Sequence, residues 1–283
     1  MIDRRTRRHL VSRVMTGTTV VAAVAAVLPL FLILAYLVLK GFSSINWAFF
    51  VETPAAPGST GGGVSNAIVG SAMVVGVGTL IGVPLGVGAG VYLAEYGGTG
   101  RMAQMVRFVA DVLNGTPSIV VGVFVWTWMV KPMGHFSALA GSVALAVLMI
   151  PMVTRTTEEM LRLVPGSLRE AALALGYPRW RASLGIVVRT ALPGVVTGAL
   201  IAVARIAGET APLLFTTLGN LNFKTDLLQP TQTLSLQVFV YATGPFPEWH
   251  RLAWGVALVL VVLVLLTNIA ARYATRSGRA TGR

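Results

Sequence analysis

Long apolar runs without charged residues, separated by short polar and basic stretches, dominate the sequence. The first run extends from Val14 to Leu39 without a charge. At about 1.5 Å per helical residue it is longer than the roughly 30 Å hydrocarbon core of a bilayer. This length favours an uncleaved first span over a secretory signal, although a basic segment precedes both. Five further runs approach or exceed the roughly 20 residues of a spanning helix: residues 67–94, 112–131, 136–154, 191–218 and 252–272.

These runs predict an all-α, polytopic membrane protein with six transmembrane helices. In lipid, only helices and closed barrels satisfy their own backbone groups, and the runs are too long and too uniformly apolar for the alternating strands of a barrel. The predicted organisation is a basic tail over 1–13, a first span over 14–39, an external loop over 40–66, a transmembrane domain over 67–275 that contains a charged loop over 155–190, and a tail over 276–283.

The distribution of Lys and Arg predicts the orientation, because cytoplasmic loops retain positive charge during insertion. With the amino terminus inside, 17 of the 22 basic residues lie on the cytoplasmic side and four lie outside, while Arg205 falls within a span. We therefore expect a multi-pass protein of the cytoplasmic (inner) membrane with both termini in the cytoplasm.

Composition narrows the function classes further. Charged residues make up 11% of the chain, against about 25% in an ordinary soluble domain. The formal charge of +12 sits in clusters between uncharged runs, which favours membrane topology over nucleic-acid binding. No cysteine is present and the three histidines are isolated, so no metal site is predicted. No phosphate-binding glycine loop with its lysine occurs, so ATP hydrolysis has to come from a partner. The chain itself is expected to bind no cofactor and to be no enzyme.

Two local patterns concern packing. Gly78, Gly82, Gly86 and Gly90 recur at every fourth position of the second run, which predicts a helix face that another backbone approaches closely. Arg107 and Asp111 stand four residues apart and are expected to form an i, i+4 ion pair.

The charged loop contains the pattern of a short capped helix. Ser167 and Glu170 have the spacing of a capping box, and Gly176 is expected to end the helix. An apolar face at i, i+3, i+4 and i+7 suits either a groove on another protein or the inner end of the chain's own bundle. This face comprises Leu168, Ala171, Ala172 and Leu175.

The same loop carries a family resemblance. The stretch from Glu170 to Gly176, with Ile186 ten residues further on, resembles the EAA loop of ABC importer permeases. The resemblance implies a coupling helix that docks into a cleft of a cytoplasmic ATPase. The coupling residues implied in this way are Glu170, Ala171, Ala172, Leu175 and Gly176. One departure is that Val188-Arg189 stands where the family has Leu-Pro.

The fifth run contains two charged residues, Arg205 and Glu209, four positions apart. A lone charge at that depth costs at least roughly 2.5 to 3.5 kcal/mol, so such residues usually pair and face a cavity or pathway. The alternative is a salt bridge that only fixes helix register. Because Pro212 has no N–H, an unfilled backbone acceptor is expected beside Glu209.

The segment around this pair carries a second resemblance. The string from Ala204 to Thr216 closely resembles the fifth-span signature of the permeases of the Pst phosphate importer family, and its ending resembles the A-type subunits. The segments from Gly115 to Val120 and from Leu163 to Pro165 resemble them too. This resemblance, over about residues 65 to 275, implies a type I (MetI-like) permease fold and a role for Arg205 and Glu209 in phosphate translocation.

The chemistry of these side chains is consistent with that role. A guanidinium offers a planar fork of donors that fits two oxygens of an oxyanion. A carboxylate accepts a hydrogen bond from a protonated phosphate oxygen but repels fully ionised sulfate. The hydroxyls of Thr210, Thr116 and Ser118 could add donors along the path or could bond to the backbone.

The resemblance also implies partners. These are a homologous PstC-type permease, two copies of a PstB-type ATPase that uses ATP and Mg, and an extracytoplasmic PstS-type phosphate-binding protein. Two alternatives stay open: an ABC importer permease for another solute, such as phosphonate, molybdate or an amino acid, and an ATP-independent channel or secondary transporter.

Overall fold

A computed structural model describes residues 4–223 and 225–280, which form an almost entirely helical chain. The ends of the two predicted tails and the predicted outer Lys224 lie outside the described residues. The first half contains α1 (Arg4–Phe42), α2 (Trp47–Val51), α3 (Ser65–Val91), α4 (Arg101–Gly115), α5 (Ser118–Val125), α6 (Lys131–Met133) and α7 (Ala138–Arg162). The second half contains α8 (Gly166–Ala174), α9 (Arg179–Ala182), α10 (Val188–Ala207), α11 (Ala211–Thr216), α12 (Leu234–Thr243) and α13 (Pro247–Ala280).

Three π-helical turns lengthen these helices. The turn Tyr92–Tyr96 extends α3, the turn Trp126–Val130 joins α5 to α6, and the turn Ser183–Val187 joins α9 to α10. As a result, α9 and α10 form one rod that runs from Arg179 to Ala207.

The helices confirm the all-α, polytopic architecture. Within the described ranges, five helices are long and apolar enough to cross a membrane, and a sixth span is completed if a bent helix pair is counted as one. The five are Val11–Phe42, Ser65–Tyr96, Ala138–Arg162, Arg179–Ala207 and Pro247–Ala270.

The predicted third span, 112–131, corresponds in the structure to this bent pair of helices and not to one straight helix. Arg101–Gly115 and Ser118–Met133 meet at 105° instead of forming one straight helix. The cause is Pro117, which disfavours helical backbone at the residue before it. Thr116 accordingly has an extended ψ of 131°. The apolar run therefore begins inside α4, whereas the helix that could cross the membrane begins at Ser118.

The glycine face of α3 packs directly on α7, as predicted. All four glycines of the stripe are buried, and a Cβ added at Gly90 would lie 2.5 Å from the Cβ of Thr157. A Cβ at Gly86 would lie 2.7 Å from the Cβ of Val153. Because α3 carries no side chains on this face, α7 packs closely on its backbone, and the two helices form the centre of the bundle.

The predicted fifth span, 191–218, is not one helix. α10 ends at Ala207, and a separate helix, α11, begins at Ala211. The short helix α12, to which the apolar runs assigned no span, lies beyond this break and buries Leu234, Leu236 and Tyr241. Similarly, the predicted irregular loop over 40–66 contains α2, whose Phe49 is buried.

Candidate functional site

The break after α10 places two predicted residues on either side of a helix end. Arg205 lies in the last turn of α10, where Gly208 N–H donates to the Arg205 carbonyl (3.3 Å) and Glu209 N–H donates to the Ile206 carbonyl (3.1 Å). Pro212 stands in the first turn of α11 and cannot supply the N–H that a continuous helix would need. Glu209 is therefore held in the connection between two helices.

A second break faces the first. Pro117 precedes the first residue of α5, and Gly122 of α5 packs on the backbone of α11. A Cβ added at Gly122 would lie 2.6 Å from the Cα of Pro212. This contact brings the start of α5, with Thr116 and Ser118, close to the Glu209 connection.

The two breaks border one cleft with an empty volume of ≈ 560 Å³, including the part open to solvent. Arg205, Glu209, Thr116 and Ser118 all line it, so the structure brings four of the five predicted pathway residues together. Thr210, the fifth, is the N-cap of α11 and does not line this cleft. The other lining residues are Leu113, Asn114, Pro117, Leu148, Met152 and Ile206.

Arg205 and Glu209 do not form the ion pair that their spacing suggested. Among residues 4–223 and 225–280, no salt bridge within 4.0 Å joins them, and neither side chain has a hydrogen-bond partner there. The physical reason is the helix break, since the i, i+4 geometry holds only while the helix continues. The cleft therefore contains a free guanidinium and a free carboxylate.

The backbone of Glu209 is anchored from α12. The hydroxyl of Ser235 donates to the Glu209 carbonyl at 2.9 Å. Sequence reasoning missed Ser235, because a contact across 26 residues leaves no local pattern. It thus holds the connection in place while the Glu209 side chain remains at the cleft.

The two hydroxyls at the cleft, those of Thr116 and Ser118, differ in whether their proton is free to donate a hydrogen bond. Thr116 Oγ1 donates to the Val112 carbonyl at 2.7 Å, which is the backbone bond expected of many membrane threonines. The hydroxyl proton of Thr116 is used in this bond, whereas the lone pairs of its oxygen are free to accept a hydrogen bond. Within the described part of the chain, Ser118 makes no hydrogen bond through its hydroxyl, which leaves a donor at the cleft.

Helix α8 is the predicted coupling helix, and its end matches the prediction. Gly176 has φ +82°, Tyr177 N–H donates to the Ala172 carbonyl at 3.2 Å, and Gly176 N–H donates to the Leu173 carbonyl at 2.9 Å. These two bonds form a Schellman motif. The predicted capping box is wrong, because the N-cap is Pro165 and no side chain caps the helix.

The apolar face predicted for α8 is divided between two environments. Ala172 is 1% exposed and packs on the bundle, whereas Leu168 and Leu175 are 40% and 78% exposed. Glu170, Ala171 and Gly176 are also exposed. One small residue therefore seats the helix on its own bundle, while the larger side chains remain outside.

Two buried carboxylates connect the helix ends near α8. Glu158, with a side chain 3% exposed, pairs with Arg107 (2.7 Å), Arg155 (3.2 Å) and Arg162 (2.6 Å). Asp111 pairs with Arg155 instead of Arg107. The predicted Arg107–Asp111 pair is thus wrong, because both side chains find partners on α7.

The second carboxylate is Glu95, with a side chain 6% exposed. It accepts two hydrogen bonds from Arg169 of α8, at 3.0 and 2.8 Å. It also accepts one from the Ser183 hydroxyl at 2.9 Å. Neither Glu95 nor Arg169 was identified from the sequence, since they lie 74 positions apart.

Known transport proteins resemble this chain in sequence and in fold. Residues 82–279 match the family described as "Binding-protein-dependent transport system inner membrane component". The phosphate transport system permease protein PstA of Yersinia pestis is 51% identical over 83% of this chain and 80% of that protein. PstA of Haemophilus influenzae is 45% identical over 92% of each chain. The same fold occurs in the crystal structure of a bacterial alginate ABC transporter in complex with alginate pentasaccharide-bound periplasmic protein. The TM-score is 0.70 and the sequence identity is 13%, and the match covers 97% of this chain and 98% of that chain.

The chain therefore belongs to the family of binding-protein-dependent transport permeases and, within it, to the PstA group. Its several apolar helices and this membership make it a multi-pass membrane protein. Permease subunits of this kind are not themselves enzymes.

Proposed function

We propose that this chain is the permease subunit of an ATP-driven phosphate importer, and that the cleft between α5 and α10 forms half of the inorganic phosphate path. Its relatives named as phosphate transport permeases align over most of their length. The observation that carries the site assignment is the free guanidinium of Arg205 in a cleft that also presents Glu209 and Ser118.

Arg205 is the anion-binding group. Arg205 is an exposed residue at the cleft and has no partner among the described residues. A passing anion therefore supplies the opposite charge that the helix itself does not. The guanidinium fork donates two parallel hydrogen bonds to two phosphate oxygens. The Ser118 hydroxyl donates a further one.

Glu209 selects a protonated oxyanion. A carboxylate has acceptor oxygens only, so it pairs with the P–OH of hydrogen phosphate. Fully ionised sulfate has no proton to donate and would leave two anions facing each other, an unfavourable arrangement. Thr116 contributes lone pairs as an alternative acceptor for the P–OH, and Thr210 contributes to the path beyond the cleft.

The proposed role as a phosphate importer permease also implies the partners of the chain. In the inner membrane, with both termini in the cytoplasm, a PstC-type permease provides the other half of the path. A PstS-type protein delivers phosphate from outside. Two PstB-type ATPases bind ATP and Mg, and one of them docks on α8. Nucleotide-driven closure of the ATPases moves α8 and switches the cleft between its two accessible sides.

The docking surface is the exposed part of α8 and the turn after it. Glu170, Ala171, Leu175 and Gly176 contact the ATPase, while Ala172 keeps the helix seated on the bundle. The exposed fractions of Leu175 and of Trp180, which is 55% exposed, support this surface, since exposed large apolar side chains outside the lipid need a partner.

Uptake of labelled phosphate by the complete transporter in proteoliposomes tests the proposal. The phosphate-loaded binding protein and ATP are supplied, and Glu209→Gln is compared with Glu248→Gln. Glu248 forms an exposed ion pair with Arg251 at the start of α13, so it is a matched carboxylate away from the cleft. We expect Glu209→Gln to lower uptake by about tenfold or more, since a hydrogen bond to a charged group contributes about 1.5 to 3 kcal/mol. The Glu248 variant should keep wild-type uptake.

Two results would overturn the proposal. A wild-type complex that takes up another solute but no phosphate would remove the substrate assignment. Equal uptake by the Glu209 variant and the wild type would remove the role of the cleft.

A further inference from the structure

The coupling helix is held on the bundle by the buried Ala172 and by the hydrogen bonds of Arg169. All residues of α8 are described, and Ala172 is its one buried residue. Arg169 on the same helix reaches inward, where its Nη1 donates to the Val164 carbonyl at 2.7 Å and its Nη2 donates to the Leu161 carbonyl at 2.8 Å. Nε and Nη2 of Arg169 also donate to Oε1 of Glu95. A rigid planar fork thus fixes α8 against the end of α7 and against Glu95.

Glu95 also joins two π-helical turns. It lies within Tyr92–Tyr96, the turn that ends α3. Its second oxygen, Oε2, accepts from Ser183, the first residue of the turn Ser183–Val187 that leads into α10. Its backbone carbonyl accepts from Arg179 Nη2 at 2.8 Å. A single carboxylate therefore connects α8, α3 and the start of the α9–α10 rod.

The rod leads from this junction to the cleft. From Ser183 to Arg205 it spans 22 residue steps, about 33 Å of helix. π-helical turns often occur at functional sites and offer a place where a helix can change its geometry. A displacement of α8 that is passed on at Glu95 would act on both π-helical turns at once.

We propose that the Arg169–Glu95 ion pair is the link that transmits the motion of α8 to α10 and so to the Arg205 break. This inference rests on the proposed function, in which α8 docks the ATPase. Arg169 and Glu95 are positioning residues, because neither lines the cleft and both act through the helices that they connect. Ser183 supports the link from the α10 side.

The first experiment measures phosphate transported per ATP hydrolysed by the complete reconstituted transporter. The variants are Glu95→Gln, Arg169→Gln and the double variant, with Arg251→Gln as the control for loss of an exposed ion pair. Each single variant should lower the ratio by about fivefold or more, within the range for residues that couple two sites. The double variant should be no worse than the more severe single one, since both changes remove one interaction.

Conservative variants show whether a lower ratio comes from lost transmission of the α8 motion or from lost folding. Arg169→Lys keeps the charge but cannot hold Glu95 and both backbone carbonyls in one planar arrangement, so an intermediate ratio is expected. Ser183→Ala removes one hydrogen bond and should lower the ratio slightly while the ATPase still copurifies. An unchanged ratio in Glu95→Gln, or losses that multiply in the double variant, would overturn the link. If Arg169→Gln fails to assemble, Glu95→Gln and Ser183→Ala decide the question.

A second readout does not depend on phosphate being the substrate. Since the chain has no cysteine, spin labels at Leu173→Cys, an exposed position of α8, and at Leu192→Cys report the distance between α8 and α10 without background from this chain. With the link intact, we expect a narrow distance distribution in both nucleotide states. Glu95→Gln should broaden it. An unchanged distribution in Glu95→Gln would overturn the link. If Glu95→Gln shows the broadening but the wild-type complex moves no phosphate, only the proposed function is overturned.

Discussion

Replacing Gly122 by alanine tests how the two helix breaks are held together. Gly122 is buried in α5, and the added Cβ would lie 2.6 Å from the Cα of Pro212 and 3.1 Å from its carbonyl oxygen. Ordinary contacts begin at 3.4 Å. The nearest atoms belong to backbone, so rotation of a side chain cannot relieve the overlap.

The size of the effect follows from this shortfall of about 0.8 Å. Overpacking by one methyl group in a well-packed interior costs about 1 to 3 kcal/mol, and alanine returns about 0.8 to 1 kcal/mol of helix propensity relative to glycine. The net expectation is a loss of roughly 0 to 2 kcal/mol of stability, together with a shift of α11 away from α5. Because Glu209 lies two residues before α11, phosphate uptake should fall several-fold even where the protein remains folded.

Thermal unfolding of the purified complex and phosphate uptake at fixed protein density measure the two effects. Gly88→Ala is the matched control, since its Cβ would meet nothing within 4 Å; it should keep wild-type uptake and gain stability slightly. Wild-type uptake and stability in Gly122→Ala would show that the contact between α5 and α11 does not set the geometry of the cleft.

Three further outcomes are expected. Gly90→Ala should destabilise the protein by about 1 to 3 kcal/mol, because its Cβ would meet Thr157 and the Thr154 carbonyl; a thermal midpoint equal to that of the wild type would contradict the packing of α3 on α7. Glu158→Gln removes the charge that three arginines share and should cost about 1 to 3 kcal/mol, measured by denaturant titration, whereas unchanged stability would mean that the arginines are solvated instead. Gly176→Ala forces φ +82° on a residue with a Cβ, at a cost of about 1 to 2 kcal/mol, and should weaken ATPase stimulation; full stimulation would argue against a fixed end to α8.

The sequence was sufficient for features that repeat locally. Apolar runs mark helices long enough to span a bilayer, and glycines at every fourth position mark the face of α3 on α7. The Gly176 end of α8 was predictable too, because its backbone conformation is one that glycine adopts at little cost.

Features that depend on tertiary partners were not predictable in the same way. Asp111 and Arg107 have suitable spacing for one another, yet α7 offers the buried Glu158 to Arg107 and the partly buried Arg155 to Asp111. Likewise, nothing near Glu95 in the sequence indicates that Arg169 reaches it. Local spacing is a weak guide where a distant charge is available, since buried charges take the pairing that best satisfies them.

The helix breaks were only partly predictable from the sequence. Pro117 and Pro212 were visible in the sequence, but the apolar runs continue across both positions, so hydropathy alone joins segments that the backbone separates. Nevertheless, four of the predicted pathway residues, Thr116, Ser118, Arg205 and Glu209, line one cleft. What the sequence could not give is that the arginine and the carboxylate face the cleft unpaired.

The most direct test of the phosphate path is uptake from low external phosphate in cells that carry Arg205→Gln, with the amount of protein in the membrane measured separately. Glutamine keeps a donor but loses the charge and the planar fork, so we expect uptake to fall by about tenfold or more at equal membrane levels. Arg251→Gln, on the exposed ion pair of α13, should keep wild-type uptake. Normal uptake by Arg205→Gln would contradict the role of this guanidinium in translocation.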